Sequence, residues 1–292
     1  MTRTMKHFLC FLILLVAAGK AHAQLDVRIE IKRHIFLRGE PIPATVHIRN
    51  LTGHDITLRD APGHQWFGFE VIRGSDTPIA PSKADYKNDP LTMLAGDSVS
   101  RTVDLLKLYP INELATYKVR AAIYFSETEK YMISDVFKVD ISEGRKLWSE
   151  TVGVPNGKED AGQYHSMTLL SFQTGNQLTL YARVEDVATG AYYGTYPLGR
   201  LIGGSTPIGE YDNENTLHAF HMTGPSQYML TKIGVNGEWL GQSLWNAPKG
   251  RASVRKKPDG TMVVVGATRE RPAAPSALPV PKLSDRPSIL PK

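Results

Sequence analysis

The sequence predicts an all-β chain, a β-sandwich followed by an antiparallel β-meander repeat array of about 48 residues per unit. Two observations carry this. In the first half, apolar residues alternate with polar ones in short runs bounded by Gly, Pro, Asn and Asp, the period-two pattern of strands with one buried face. In the second half, aromatic landmarks recur at near-constant spacing: Trp148 to Tyr196 is 48 residues and Tyr196 to Trp245 is 49. A fixed period of that size is the mark of a repeat array.

Residues 1–23 read as an export signal. Arg3 and Lys6 precede an apolar stretch of 12 residues, 8–19, and Ala21-His22-Ala23 supplies a small-x-small cleavage pattern before Gln24. Twelve apolar residues are too few for a bilayer, which needs about 20. The expected product is periplasmic or secreted, with no stable membrane insertion after cleavage. The only cysteine, Cys10, leaves with the signal, so the mature chain has no disulfide, thiolate ligand or cysteine nucleophile. Loss of Arg3, Lys6 and Lys20 leaves 31 basic against 29 acidic residues, a balance of +2. With the cations scattered, a nucleic-acid footprint is not expected.

Residues 24–142 supply the sandwich. Val27, Ile29 and Ile31 alternate with charged residues, as do Ala44, Val46 and Ile48, then Phe67, Phe69 and Val71. Tyr117, Val119, Ala121, Ile123 and Phe125 follow, and Phe137, Val139 and Ile141 close the series. Some seven strands with turns every 8 to 15 residues point to two aligned antiparallel sheets. The stretches RGEPIPATVHIRNLTGHDITL and ELATYKVRAAIYF resemble bacterial immunoglobulin-like domains, and Tyr117 matches the corner tyrosine of that family.

Residues 143–269 supply the array. Residues 167–172 lead through Thr174-Gly175-Asn176 into 178–184, and 216–222 lead through Thr223-Gly224-Pro225 into 228–235. Second turns follow at Thr189-Gly190 and Asn236-Gly237, and Asn-Gly is a strong hairpin signal because both residues tolerate positive φ. A truncated third unit, RASVRKKPDGTMVVVGA, turns at Pro258-Asp259-Gly260. The array resembles part of a β-propeller, its last unit being similar to sialidase-like hairpins, without their Ser-x-Asp-x-Gly box or a placeable arginine triad. Residues 270–292, broken by six prolines and free of aromatics, are expected to be an extended, disordered tail. The chain as a whole resembles exported proteins of environmental bacteria.

No catalytic residue and no cofactor is expected. The proposed ligand-binding residues are Trp239, Tyr193 and Tyr192 in the array, whose flat rings suit a sugar face or a protein partner, and Trp66 in the sandwich, at a rim with His54 and His64. Trp148, Tyr196 and Trp245 are expected in the core between units, because repeats must bury something recurrent. His218 and His221, three apart on a strand, fall on opposite faces and do not share a metal. The loop YDNEN offers Asp212 and Glu214 as oxygen ligands for Ca²⁺, but it lacks the ligand spacing and turn glycine of a calcium loop, so a solvated turn is favoured.

The expected function is that of an exported non-enzymatic binding or scaffold protein of the cell envelope or exterior, with a protein or glycan partner. An alternative is a carbohydrate-binding or glycan-hydrolysing protein whose blades complete a propeller by homo-oligomerisation. A protease inhibitor built on the sandwich is a further alternative.

Overall fold

The computed structural model describes residues 25–82, 88–248 and 250–270. The expected signal segment lies outside them, as does the Pro-rich tail beyond Glu270. The chain is all-β, 57% strand and 2% helix, in several sheets of which none closes into a barrel. It divides into two compact units, one running to Gly144 and taking in 194–196, the other comprising 145–193 and the residues from Pro197 onward.

In the first unit β1 (Leu25–Ile31), β3 (Pro43–Asn50) and β8 (Ser98–Asp104) form one sheet in the order β1-β3-β8. A second sheet runs β2 (Ile35–Leu37), β11 (Phe137–Ser142), β9 (Thr116–Phe125), β5 (Phe67–Arg73), β6 (Thr77–Pro78), with β10 (Lys130–Ile133) also on β9. Strands β4 (Ile56–Leu58) and β7 (Leu91–Met93) pair separately, and one turn of helix, α1 (Leu105–Leu108), is capped by the Asp104 side chain. The alternating sets read from the sequence are the inward faces: Val46, Ile48, Phe67, Val71, Val119, Ile123 and Val139 all belong to a single buried cluster. Burying each such side chain contributes about 1.5–3 kcal/mol. Tyr117 is fully buried, and its hydroxyl donates to the Glu113 carbonyl (3.3 Å) and accepts from the Glu113 N–H (3.2 Å), tying the start of β9 to the loop before it.

Strands β10 and β11 lie end to end along the same edge of β9, with a slip between them. Ile133 stands opposite Ala122, but Phe137 stands opposite Val119, so one extra residue intervenes. This is a bulge, and a one-residue slip exchanges the faces of everything beyond it. Ser134 fixes it: its N–H donates to the Ala121 carbonyl (3.0 Å), and its hydroxyl accepts from the Ala121 N–H and donates to the Asp135 carbonyl, both at 2.9 Å. Val139 and Ile141 therefore face the core while Tyr131 and Ile133, also odd-numbered, face outward.

The second unit opens with a sheet ordered β12 (Arg145–Gly153), β13 (Tyr164–Thr174), β14 (Gln177–Asp186), β15 (Tyr192–Arg200). The next runs β16 (Ile208–Tyr211), β17 (Leu217–Gly224), β18 (Gln227–Ile233), β19 (Trp239–Asn246), β22 (Thr268–Arg269). Strands β20 (Ser253–Lys256) and β21 (Met262–Val265) form a hairpin whose turn sets Gly260 at φ 85°. The expected turns close the expected hairpins, and the aromatic residues fall on the strands that flank those hairpins. Tyr192, Tyr193 and Tyr196 lie on β15, and Trp239 and Trp245 on β19, each the fourth strand of its sheet, because β12 and β16 precede the hairpins.

The landmarks are therefore not equivalent positions. Trp148 lies on β12, a first strand, and all three rings are half-buried rather than buried, since β12 ends its sheet and β19 is bordered only by the two-residue β22. Trp148 and Trp245 do pack between layers. A Cβ added at Gly209 of β16 would come within 2.8 Å of the Trp148 indole, so the ring occupies the space a side chain would need. Trp245 packs against the cluster of Phe220, Tyr228, Leu230 and Val254, which joins the second sheet to the β20–β21 hairpin.

Candidate functional site

The outer face of the β5-β9-β10 sheet carries an open groove of about 930 Å³. Its floor is low because Gly68 stands opposite Ala122, two small residues side by side. Ile133, opposite Ala122 on the other side, and Tyr131, opposite Tyr124, form one wall; Tyr109 and Pro81 line the groove as well. The bulge at Ser134 puts that wall there, since without the slip Tyr131 and Ile133 would share the inward face of Val139.

Three rings stand together at one end. His64 is stacked on Tyr124, centroids 4.5 Å apart and planes 5° from parallel, and Tyr131 is tilted against both, 5.1 Å from Tyr124 and 5.8 Å from His64. The Tyr131 hydroxyl is 3.3 Å from His64 Nδ1. Burial pushes the pKa of that hydroxyl up, and neighbouring Tyr124 and Asp60 act in the same direction, so it stays protonated at neutral pH. Tyr131 is 41% and Ile133 51% exposed, large for residues held in a regular strand. Glu70 lines the groove, 3.5 Å from the Arg120 guanidinium. Asp60 fixes the approach to it: one oxygen accepts the Trp66 N–H (2.8 Å) and the other the Asn88 N–H (3.0 Å).

The residues expected at the site from sequence are dispersed. Trp66 is 2% exposed, edge-on to Phe67, with its indole N–H on the Asp89 carbonyl (3.0 Å). It supports the rim from beneath and presents no face. His54 is exposed and paired with Glu127 at 3.0 Å. Tyr192 lies under the Arg183 guanidinium at 5.4 Å. Tyr193 packs on His165, ring centroids 4.4 Å apart, and donates its hydroxyl to Asp160 at 2.7 Å; burial and that carboxylate push its pKa up to about 12. Trp239, on β19, is 45% exposed, as expected of it.

Asp212 is engaged in its own turn. Asp212 Oδ1 accepts the N–H groups of Glu214 (3.0 Å) and Thr216 (2.9 Å), and Oδ2 accepts from His218 Nε2 (3.0 Å), so its lone pairs close a turn. Burial pushes its pKa up, but these hydrogen bonds outweigh burial and hold it below the ordinary value. Among the described residues no group of three or more His, Cys, Asp or Glu is placed to hold a metal ion. His218 and His221 do fall on opposite faces of β17. His165 is fully buried with Nδ1 on the Val235 carbonyl (2.8 Å) and Nε2 3.8 Å from Asp186, out of reach of any substrate.

Tyr131, Tyr124, Ile133 and Gly68 were not anticipated from sequence, and only His64 was. Residues 131, 133, 137, 139 and 141 are apolar and share odd numbers, and the slip at Ser134 is marked only by Asp135, a charged residue that interrupts the series. No family model matches the sequence, and no curated protein matches it. Among solved structures the chain is similar to Spo0M, the sporulation control protein of Bacillus subtilis, at 11% identity over 58% of this chain and 83% of that one; the TM-score, 0.27, is too low to bear on fold or function. No helix among the described residues is long and apolar enough to cross a membrane.

Proposed function

We propose that this is an exported, non-enzymatic binding protein of the cell envelope or exterior, and that the groove beside Tyr131 is where it holds a glycan. The observation that carries the reading is the pair of exposed rings, His64 and Tyr131, backed by the buried Tyr124 and set beside a floor of Gly68 and Ala122. Flat rings suit the C–H face of a pyranose, and the Tyr131 hydroxyl and Glu70 carboxylate suit its hydroxyls. An immunoglobulin-like sandwich carrying propeller-like meander units fits such a role, and the Tyr117 corner and the successive sheets of the second unit support that architecture. The test is a glycan array probed with the mature chain and with Tyr131→Ala. Saccharide binding that falls about tenfold or more in the variant is expected; a chain that binds no glycan defeats the glycan reading.

A second reading rests on one observation. The edge of β10 away from β9 has no strand partner among the described residues, and Tyr131, Ile133 and Val136 are exposed along it. Such an edge accepts an extended peptide as an added strand. Binding of a peptide library that Ile133→Pro abolishes and Tyr131→Ala merely weakens would favour this reading, because proline there removes an N–H that points away from β9 and leaves the ring set in place.

A further inference from the structure

The second unit holds a cleft of about 490 Å³ between the sheet of β16 to β19 and the β20–β21 hairpin. Register builds it. His218 stands opposite Lys232 and Lys232 opposite Gly241; along β18 the same face continues with Leu230 opposite Ser243 and Tyr228 opposite Trp245. Cross-strand partners and their i±2 neighbours share a face, so the imidazole and the Lys232 stem rise from the same side as Leu230 and Trp245. Val254, Met262 and Val264 of the hairpin cover that side. Gly241 leaves the space above it open: an added Cβ would meet nothing within 4 Å, and φ of 130° reserves the position for glycine.

The polar end of the cleft lacks a partner. His218 is 3% exposed and its Nε2 bonds the Asp212 carboxylate, an acceptor, so Nε2 carries the proton and Nδ1 is a bare lone pair. That Nδ1 is buried with no hydrogen-bond partner. A buried acceptor left unmade is costly and rare in native proteins. Lys232 and Arg269 also line the cleft, both exposed and neither in an ion pair among the described residues. Glu210, opposite His218 on β16, is not part of the lining.

We propose that this cleft binds a small organic anion that carries a hydroxyl or N–H donor on an apolar body. The anionic group meets Lys232 and Arg269, the donor meets His218 Nδ1, and the body lies against Leu230, Trp245 and Met262. The site is separate from the groove of the first unit and its test is independent of it.

Isothermal titration of the mature chain with 4-hydroxyphenylacetate, phenylacetate and 4-hydroxyphenethyl alcohol separates the contributions. The hydroxy acid should bind tightest. Loss of either polar group should weaken binding, by about tenfold for the charge. Lys232→Glu should weaken both acids about tenfold or more and leave the alcohol and the melting temperature unchanged. Arg269→Gln, at another exposed position, gives the same decision if Lys232→Glu perturbs the fold. Tyr131→Ala should leave all three affinities unaltered. No binding by any of the three compounds, an alcohol that binds as tightly as the acids, or acid binding indifferent to both cation variants would overturn the proposal.

Discussion

The two units bury polar groups in different ways. In the first, Glu40, Asn50, Asn88 and Ser134 are buried and each is used: Glu40 takes Arg33 and the Leu37 N–H, Asn50 bonds the carbonyls of His54 and Leu94, Asn88 bonds the Phe67 carbonyl, and Ser134 fixes the bulge. In the second, the buried polar set includes His165, Asp186, His218 and His221, of which Asp186, His218 and His221 are held below their ordinary pKa values by their surroundings. The first unit thus resembles an apolar core with polar pins, and the second a layered stack whose interior depends on protonation. A site in the first can be altered without touching the core, whereas a site in the second is part of it.

The largest effect expected is in the first unit. Tyr117→Ala removes a fully buried ring and the hydroxyl that holds Glu113, and should cost about 3–5 kcal/mol, read as a lower urea midpoint. A midpoint that does not move would show that the first unit does not depend on its single core.

Acid should act on the second unit. Burial pushes His221 down to about 4, against the Arg200 backbone beside it, and burial also lowers His218, opposed by its bond to Asp212 and aided by Lys232. The unfolded chain takes up these protons near pH 6.5 and the folded chain only well below it. Stability is therefore full above pH 6.5 and is lost as pH falls from there to about 4, by on the order of 3 kcal/mol for His221 alone. Urea melts followed by exchange of second-unit amides should show this loss, and His221→Asn should flatten it.

Gly209→Ala sets a methyl against the Trp148 indole and should cost about 1–3 kcal/mol. Trp148→Ala in the same chain should relieve part of that cost, and additive losses would mean that the two do not touch. Smallest of all, Tyr131→Ala should change stability by no more than about 0.5 kcal/mol, because the ring is 41% exposed. It is there to be read in binding, and a large loss of stability would make the groove a structural feature.

What was legible in the sequence follows the same division. Period-two patterns identified the inward faces of the sandwich, because each is set by residues within one strand, and Gly175, Gly190, Gly237 and Gly260, all at positive φ, marked the hairpins of the second unit. Positions fixed by counting strands were not legible: the landmark spacing of 48 and 49 residues is real, yet Trp148 and Tyr196 lie on first and fourth strands. The groove was hidden because an extra residue between Ile133 and Phe137 reverses a face, and a single charged residue, Asp135, is all that interrupts the odd-numbered apolar series there. His218 and Asp212 were seen separately, but the hydrogen bond that joins them and leaves Nδ1 unused is a property of the folded turn.

The Ser134 bulge also bears on how such a surface can be acquired. Most binding faces accumulate through many substitutions, each of which must keep the core intact. Here a single-codon insertion would turn two side chains of a finished strand from one side of the sheet to the other, while β11 beyond it keeps its pairing with β9. The reverse deletion would erase the groove wall in one event and send a tyrosine toward the core. Across relatives of this chain, the presence of the site should therefore track a length difference between residues 130 and 142 more closely than the identity of any one residue there.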